Sequence, residues 1–320
     1  MDCTKCDREA VLHAAYSGAH LCEHHLRASV EKRVRRRIRE DGLIGDDATP
    51  QDPETWLLGL SGGKDSVVLG SILTETFADD PRIELVALTI HEGIEGYRDE
   101  SLDAASAFAD DHGIPHEVVT YADEFDLEMD RVVEKDPENM AACAYCGVFR
   151  RELLAEYADA YGADKLLTGH NLDDEAQTAM MNVLEGDVAQ MAKHFDASLG
   201  PFPERTNTTE FVPRAKPLRD VPEKEVALYA HLADLPVHMA ECPHSSEAYR
   251  GEIQQLLFDL EENHPGTRHS IMAGYEEFAK LAAEAYRGDG PDLGECERCG
   301  GTTTREICRS CQLTEAVHAA

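Results

Sequence analysis

The hexapeptide Ser61-Gly62-Gly63-Lys64-Asp65-Ser66 stands between a short apolar run, residues 56–60, and a stretch that carries Val68, Leu69, Ile72 and Leu73 on one side at helical spacing. A strand that passes into a helix through two adjacent glycines leaves few architectures open. Residues 85–90 are continuously apolar, as in a strand buried on both faces of a parallel sheet. The alternation predicts a helix over 101–111, a strand over 117–121, a helix over 146–161, a strand over 165–168 and a helix from Asp173. Residues 196–215 contain three prolines and read as a loop, and 218–235 reads as a helix with Pro222 in its first turn. The expected fold class is α/β, a doubly wound parallel sheet. In the hexapeptide, glycine lets backbone amides turn inward without a Cβ clash, and the following helix presents unpaired N–H groups. The hydroxyls of Ser61 and Ser66 and the Lys64 ammonium complete a cradle for a polyphosphate. Adjacent glycines exclude the longer G-x4-GK[ST] loop. A glycine turn with no ligand is the plain alternative.

Ten cysteines in a chain without an apolar leader point to metal or redox chemistry before disulfides. Cys3-x2-Cys6 with Cys22-x2-His25, and Cys296-x2-Cys299 with Cys308-x2-Cys311, each pair two knuckles across a hairpin-length spacer. Four-coordinate Zn(II) requires that pattern, so two Zn2+ sites are expected. His25 is preferred to His24 because it keeps the two-residue gap. Cys143-x2-Cys146 and the distant Cys242 remain. Three thiolates do not close a structural zinc site. They suit a redox pair with a third partner, three ligands of an iron–sulfur cluster with one iron open, or unreactive helix thiols, and spacing alone does not choose.

Sixty-three acidic residues against thirty basic ones give a formal charge of −33. That argues against sequence-blind attraction to nucleic acid at ordinary salt. It fits the surface of a halophile's protein, since 1 M salt shortens the Debye length to about 3 Å. Six cations between Lys32 and Arg39 are the exception: either a solvated helix face or a patch that meets phosphate. The expected organisation is a zinc module over 1–27, a basic helix and linker over 28–54, a nucleotide-binding catalytic domain over 55–287, and a linker with a zinc ribbon over 288–320. No apolar run approaches the ~18 residues of a membrane span, and the N-terminus lacks a signal region, so a cytoplasmic protein with no membrane partner is expected.

The SGGKDS hexapeptide resembles the signature of the PP-loop ATP pyrophosphatases, which cleave ATP between its α and β phosphates. Leu167 to Thr178 (LTGHNLDDEAQT), Cys143-x2-Cys146-Gly147 and Cys242-Pro243 resemble the tRNA 2-thiolation branch. The cysteine modules at both ends match the archaeal and eukaryotic 2-thiouridine synthetases, so the resemblance runs from residue 3 to residue 311. It implies ATP-dependent adenylation of a uridine C2 carbonyl, then sulfur transfer, with wobble position 34 favoured over position 54. Leu60, Ser61, Gly62, Gly63, Lys64, Asp65, Ser66 and Gly169 would hold the nucleotide, with the end of the 85–90 strand against adenine. Asp174 would hold Mg2+ or assist adenylation, while Asp173 would serve only the helix end. Cys143, Cys146 and Cys242 would bind a [4Fe-4S] cluster, leaving one iron free to carry sulfide. Where the family has a lysine four residues after the second of these cysteines, this chain has Arg150, which keeps the charge but cannot donate a proton of tunable pKa. The resemblance also implies tRNA as substrate, a ubiquitin-like sulfur carrier as donor, and a homodimer. Cytidine thiolation, and an RNA-binding protein with a non-catalytic nucleotide site, are the competing readings.

Overall fold

The computed structural model describes residues 1–196, 212–244, 249–285 and 294–320. The chain opens with a hairpin of β1 (Leu12–Ala14) and β2 (Ala19–Leu21), and continues into α1 (Glu23–Glu40). Then follow β3 (Glu54–Gly59), α2 (Lys64–Phe77), β4 (Ile83–His91), α3 (Arg98–His112) and β5 (His116–Thr120). Two short helices, α4 (Tyr121–Phe125) and α5 (Met129–Lys135), lead to α6 (Ala142–Ala160), β6 (Lys165–Leu167), α7 (Leu172–Glu185) and α8 (Val188–Asp196). The remainder is β7 (Arg214–Ala215), α9 (Glu223–Leu232), α10 (Tyr249–Asn263), α11 (Thr267–Ala285), a hairpin of β8 (Gly294–Glu295) and β9 (Thr302–Thr303), and α12 (Arg309–Ala319).

Five strands form one parallel sheet in the order β5-β4-β3-β6-β7. The doubly wound fold expected from the alternation is present. Period-two alternation sends the residues of the central strands into two cores. Trp56 and Leu58 of β3 and Ala87 of β4 pack with α1, α2 and α9, whereas Leu57, Leu88 and Ile90 pack with α6 and α12. A third cluster joins Leu172, Ala176 and Ala179 of α7 to α10 and α11.

Several expectations need correction. α6 begins at Ala142, not near Cys146, so both cysteines of that motif are helical. The helix expected over 218–235 spans only Glu223–Leu232, because Pro222, with no N–H to donate, caps it from outside the first turn. Tyr121 starts α4 instead of ending the strand, since the Thr120 hydroxyl accepts the Asp123 amide and caps a helix there. Most of the 196–215 loop and of the second linker lies outside the described residues, while Arg214–Ala215 adds the edge strand β7. The terminal modules pack into the cores of the central sheet. Leu12, Leu21 and Leu26 join the first core, and Leu313 and Val317 of α12 join the second.

Candidate active site and metal centres

Strand order reverses between β3 and β6, the place where open α/β sheets leave a crevice at the carboxyl edge. The loop after β3 is the glycine hexapeptide, and the loop after β6 is Thr168-Gly169-His170-Asn171. Backbone packing forces glycine at two positions. Gly62 has φ +78° and lies so close to Ser101 that a Cβ would stand 1.8 Å from its carbonyl oxygen. A Cβ on Gly169 would stand 2.7 Å from the Asp65 carbonyl carbon and 2.8 Å from the Ser66 nitrogen, so the two loops touch backbone to backbone. The Ser66 Oγ accepts the Ser61 amide (3.1 Å), donates to the Gly63 carbonyl (3.1 Å) and lies 3.0 Å from the Ser61 Oγ. Gly63 caps α2 without a side-chain acceptor, which leaves the first amides of that helix for an incoming anion.

Acidic groups surround this cradle. The Lys64 Nζ lies 2.9 Å from both Asp65 and Glu223. Burial opposes its charge, but the two carboxylates outweigh burial and raise its pKa. The other Asp65 oxygen accepts the Asn171 side-chain amide (3.0 Å). The Asn171 Oδ1 in turn accepts the Asp173 and Asp174 amides, while Asp174 accepts the Asn171 amide, a capping box that starts α7. Burial pushes the carboxyls of Asp65 and Asp174 up, and the Asp174 charge adds to the shift of Asp65. Two neighbouring carboxylates of this kind suit a divalent cation. Asp173 is committed elsewhere. It accepts the Glu223 amide at the start of α9 (2.8 Å), pairs with Arg268, and burial pushes it up to about 6. A cavity of about 810 Å³ opens over the cradle, walled by Ser61, Lys64 and Asp65, by Tyr16 of the first module, and by Tyr97 and His238. The His238 amide donates to the Gly62 carbonyl (2.9 Å), so the segment leading to Cys242 runs along the loop.

Cys143 and Cys146 lie one turn apart at the start of α6, Cys143 exposed and Cys146 half-buried. Burial raises the thiol pKa of both Cys146 and Cys242, and the charges of Cys146 and Cys143 raise Cys242 further. The three thiols thus share one electrostatic neighbourhood. Arg150, one turn beyond Cys146, donates to its Sγ (3.4 Å) and to Glu92 Oε1 (2.6 Å). These two groups hold the guanidinium pKa well above its ordinary value. Glu92, Asn171, Glu223 and His238 were not singled out by sequence reasoning. Only Asn171 and Glu223 carried a local signal, an Asx residue and an acid at predicted helix starts.

Among the described residues, two sets of donors converge to within 4.8 Å: Cys3, Cys6, Cys22 with His25, and Cys296, Cys299, Cys308 with Cys311. His25 presents its Nδ1 at 3.3–3.5 Å from the three sulfurs, as the two-residue gap requires. Both sets use a helix start. Cys22 caps α1 and Cys308 caps α12, where the Cys308 sulfur accepts the Cys311 amide. The central trio does not converge in this way. The basic run answers neither alternative in full. Arg33 pairs with Glu225, and Arg36 and Arg37 both reach Asp220, so much of its charge fastens α1 to α9 and the turn before it.

The PP-loop domain family matches residues 26–258, and the N-terminal LIM domain of the 2-thiouridine synthetase TtuA matches residues 2–27. The chain is 72% identical over 320 residues to the tRNA 2-thiolation protein NcsA of Haloferax volcanii, covering the whole of both. It is 34% identical over 318 residues to the cytoplasmic tRNA 2-thiolation protein 1 of Aspergillus niger, which spans 99% of this chain and 88% of that one. Among solved structures, the U34-tRNA thiolase NcsA from Methanococcus maripaludis, with its [4Fe-4S] cluster, is similar with a TM-score of 0.79 at 35% identity, covering 98% of this chain and 96% of that one. The PP-loop match spans residues 26–258, and the 72% and 34% identities run over nearly the whole chain, so the chain belongs to the PP-loop family, in the branch of the archaeal and eukaryotic tRNA 2-thiolation proteins.

Proposed function

We propose that this protein is an ATP-dependent tRNA sulfurtransferase that converts the C2 carbonyl of a uridine, at wobble position 34, to a thiocarbonyl. The observation that carries the reading is the meeting, at one sheet edge, of a polyphosphate cradle (Ser61–Ser66) with Cys146, Cys242 and Arg150. A carbonyl oxygen is a poor leaving group. Attack of the uridine O2 on the α-phosphorus of ATP forms an O–P bond and expels pyrophosphate. The α2 amides, Ser61, Ser66 and Lys64 bind the phosphates, and the half-exposed Arg150 guanidinium offsets the charge that develops there. A sulfur nucleophile then attacks C2, the C–O bond breaks, and AMP leaves with the former uridine oxygen.

Asp65 and Asp174 would hold Mg2+, which screens the phosphate charge. The central trio suits an iron–sulfur cluster better than zinc. All three donors are thiols, they influence one another electrostatically, and they stand further apart than the two convergent sets. When bound, such a cluster would supply an open coordination position for a sulfur nucleophile. Cys143, Cys146 and Cys242 orient it, and Tyr121, whose hydroxyl donates to the Cys146 carbonyl (3.0 Å), fixes the helix turn beneath it. The converged terminal sets suit structural Zn2+, with every coordination position taken by protein. A ubiquitin-like sulfur carrier as donor, a homodimer and a cytoplasmic location complete the reading. No helix among the described residues is long and apolar enough to cross a membrane.

The test is anaerobic protein with tRNA, magnesium, ATP and sulfide. AMP and pyrophosphate are expected, with 2-thiouridine mapped to position 34 by mass spectrometry. Cys143→Ser and Cys242→Ser should abolish thiolation and leave tRNA binding intact. Absence of AMP formation from the unaltered protein would refute the reading.

A further inference from the structure

Glu92 lies immediately after β4 and is 1% exposed, a carboxylate held between two arginines. One oxygen accepts from Arg150 (2.6 Å), and the other pairs with Arg98. Arg98 is itself buried and donates to two backbone carbonyls, Ser61 in the nucleotide loop (3.4 Å) and Ile90 at the end of β4. Arg150 donates to the Cys146 sulfur (3.4 Å) with the same nitrogen that meets Glu92. The result is a continuous chain from the Ser61 carbonyl through Arg98, Glu92 and Arg150 to Cys146. It joins the element that holds phosphate to the element that holds sulfur, and these belong to different parts of the sheet edge, the β3–α2 loop and the start of α6.

We propose that Glu92 is a positioning residue for sulfur transfer, which clamps the Arg150 guanidinium against Cys146 and, through Arg98, sets its distance from the nucleotide loop. The inference rests on the assignment of Cys146 and Arg150 to the sulfur step. An arginine stem has several rotatable bonds, and Arg150 is half-exposed, so without a fixed acceptor its head group samples the cleft. Two steps on one uridine need the reacting phosphorus, C2 and sulfur kept in a narrow range of separations. Glu92 touches none of the reacting atoms and acts only through Arg150. A simple counter-ion for two arginines would need charge alone. A clamp also needs reach.

That difference is testable with Glu92→Asp, which keeps charge and loses reach, and Glu92→Gln, which keeps reach and loses charge. In the anaerobic, fully metallated enzyme, thiolation kcat should fall about tenfold or more in both, with the KM for ATP within about twofold. Arg150→Ala should fall at least as far, and Glu92→Asp combined with Arg150→Ala should fall no further than Arg150→Ala alone. In zinc-loaded protein without the iron–sulfur cluster, NMR relaxation of the Arg150 side chain should show it ordered in the parent and mobile in Glu92→Asp. Full activity of Glu92→Asp, multiplicative losses in the double variant, or an unchanged Arg150 side chain would overturn the clamp. So would failure of both Glu92 variants to melt cooperatively, which would leave Glu92 a structural counter-ion. An inactive parent enzyme would instead refute the thiolation reading itself.

Discussion

Replacing Gly169 by alanine tests whether contact between the two loops sets the nucleotide site. The added Cβ would lie 2.7 Å from the Asp65 carbonyl carbon, 2.8 Å from the Ser66 nitrogen and 2.9 Å from the Asp65 oxygen. All three are backbone atoms, so no side chain can swing away. Reaching an ordinary contact of 3.4 Å requires about 0.7 Å of separation, which moves the start of α2 and with it the phosphate amides. Overpacking of this kind costs about 1–3 kcal/mol. A displacement near 1 Å of a positioned group costs on the order of a hundredfold in rate. Gly169→Ala is therefore expected to lower tRNA-dependent AMP formation roughly ten- to a hundredfold and to lower the melting temperature by a few degrees. Gly274, inside α11 with nothing within 4 Å of its would-be Cβ, provides the control. Gly274→Ala should leave activity alone and stabilise by up to about 1 kcal/mol through helix propensity. Calorimetric melts and AMP release measured on both variants decide the matter. Parent-like turnover and melting of Gly169→Ala would refute the argument that loop contact shapes the cradle.

Asp220→Ala should destabilise by roughly 2 kcal/mol, between the surface and buried-pair ranges, because Arg37 is left partly buried without its bidentate partner; denaturant melts measure this. Burial opposes the Asp220 charge, but Arg37 and Arg36 hold its carboxyl below the ordinary value. Its contribution is thus present above an ordinary carboxylate pKa of about 3.9 and lost as pH falls through the lower folded value, a loss that Asp220→Ala should not show. Asp65 and Asp174 are shifted the other way, so protons compete with Mg2+ at a higher pH than for ordinary carboxylates. The Mg2+ concentration for half-maximal AMP formation should rise as pH is lowered from 7 towards 5, and a flat profile would argue against that pair as the cation site. Chelating the Zn2+ proposed for Cys3, Cys6, Cys22 and His25 should loosen more than the first 27 residues, because Leu12, Leu21 and Leu26 belong to the first core. Hydrogen exchange in α1 and β3 should then speed up, and exchange confined to the hairpin would contradict this.

Much of the site was legible in local pattern, because its physics is local. A glycine pair between a strand and a helix predicts a turn with free amides, and knuckles two residues apart predict converging donors, as found at both ends of the chain. The sheet follows from apolar runs of strand length, each with a helix-period stretch after it. What the chain does at long range was not legible. Arg33, Arg36 and Arg37 read as a solvated face or a patch for phosphate, because nothing near them in sequence shows that Asp220 and Glu225, nearly two hundred residues away, fold against them. Gly169 read as a nucleotide contact, whereas its demand for glycine comes from the Asp65 and Ser66 backbone. Glu92 gave no signal, since a single acid after a strand resembles any other until Arg98 and Arg150 converge on it. Sequence determined which cysteine and histidine donors converge at the two ends of the chain, because residue type and short spacing set donor geometry. Tertiary structure decided which charges are spent on holding the fold and which face the cleft, because pairing between distant segments is set by the strand order that brings them together.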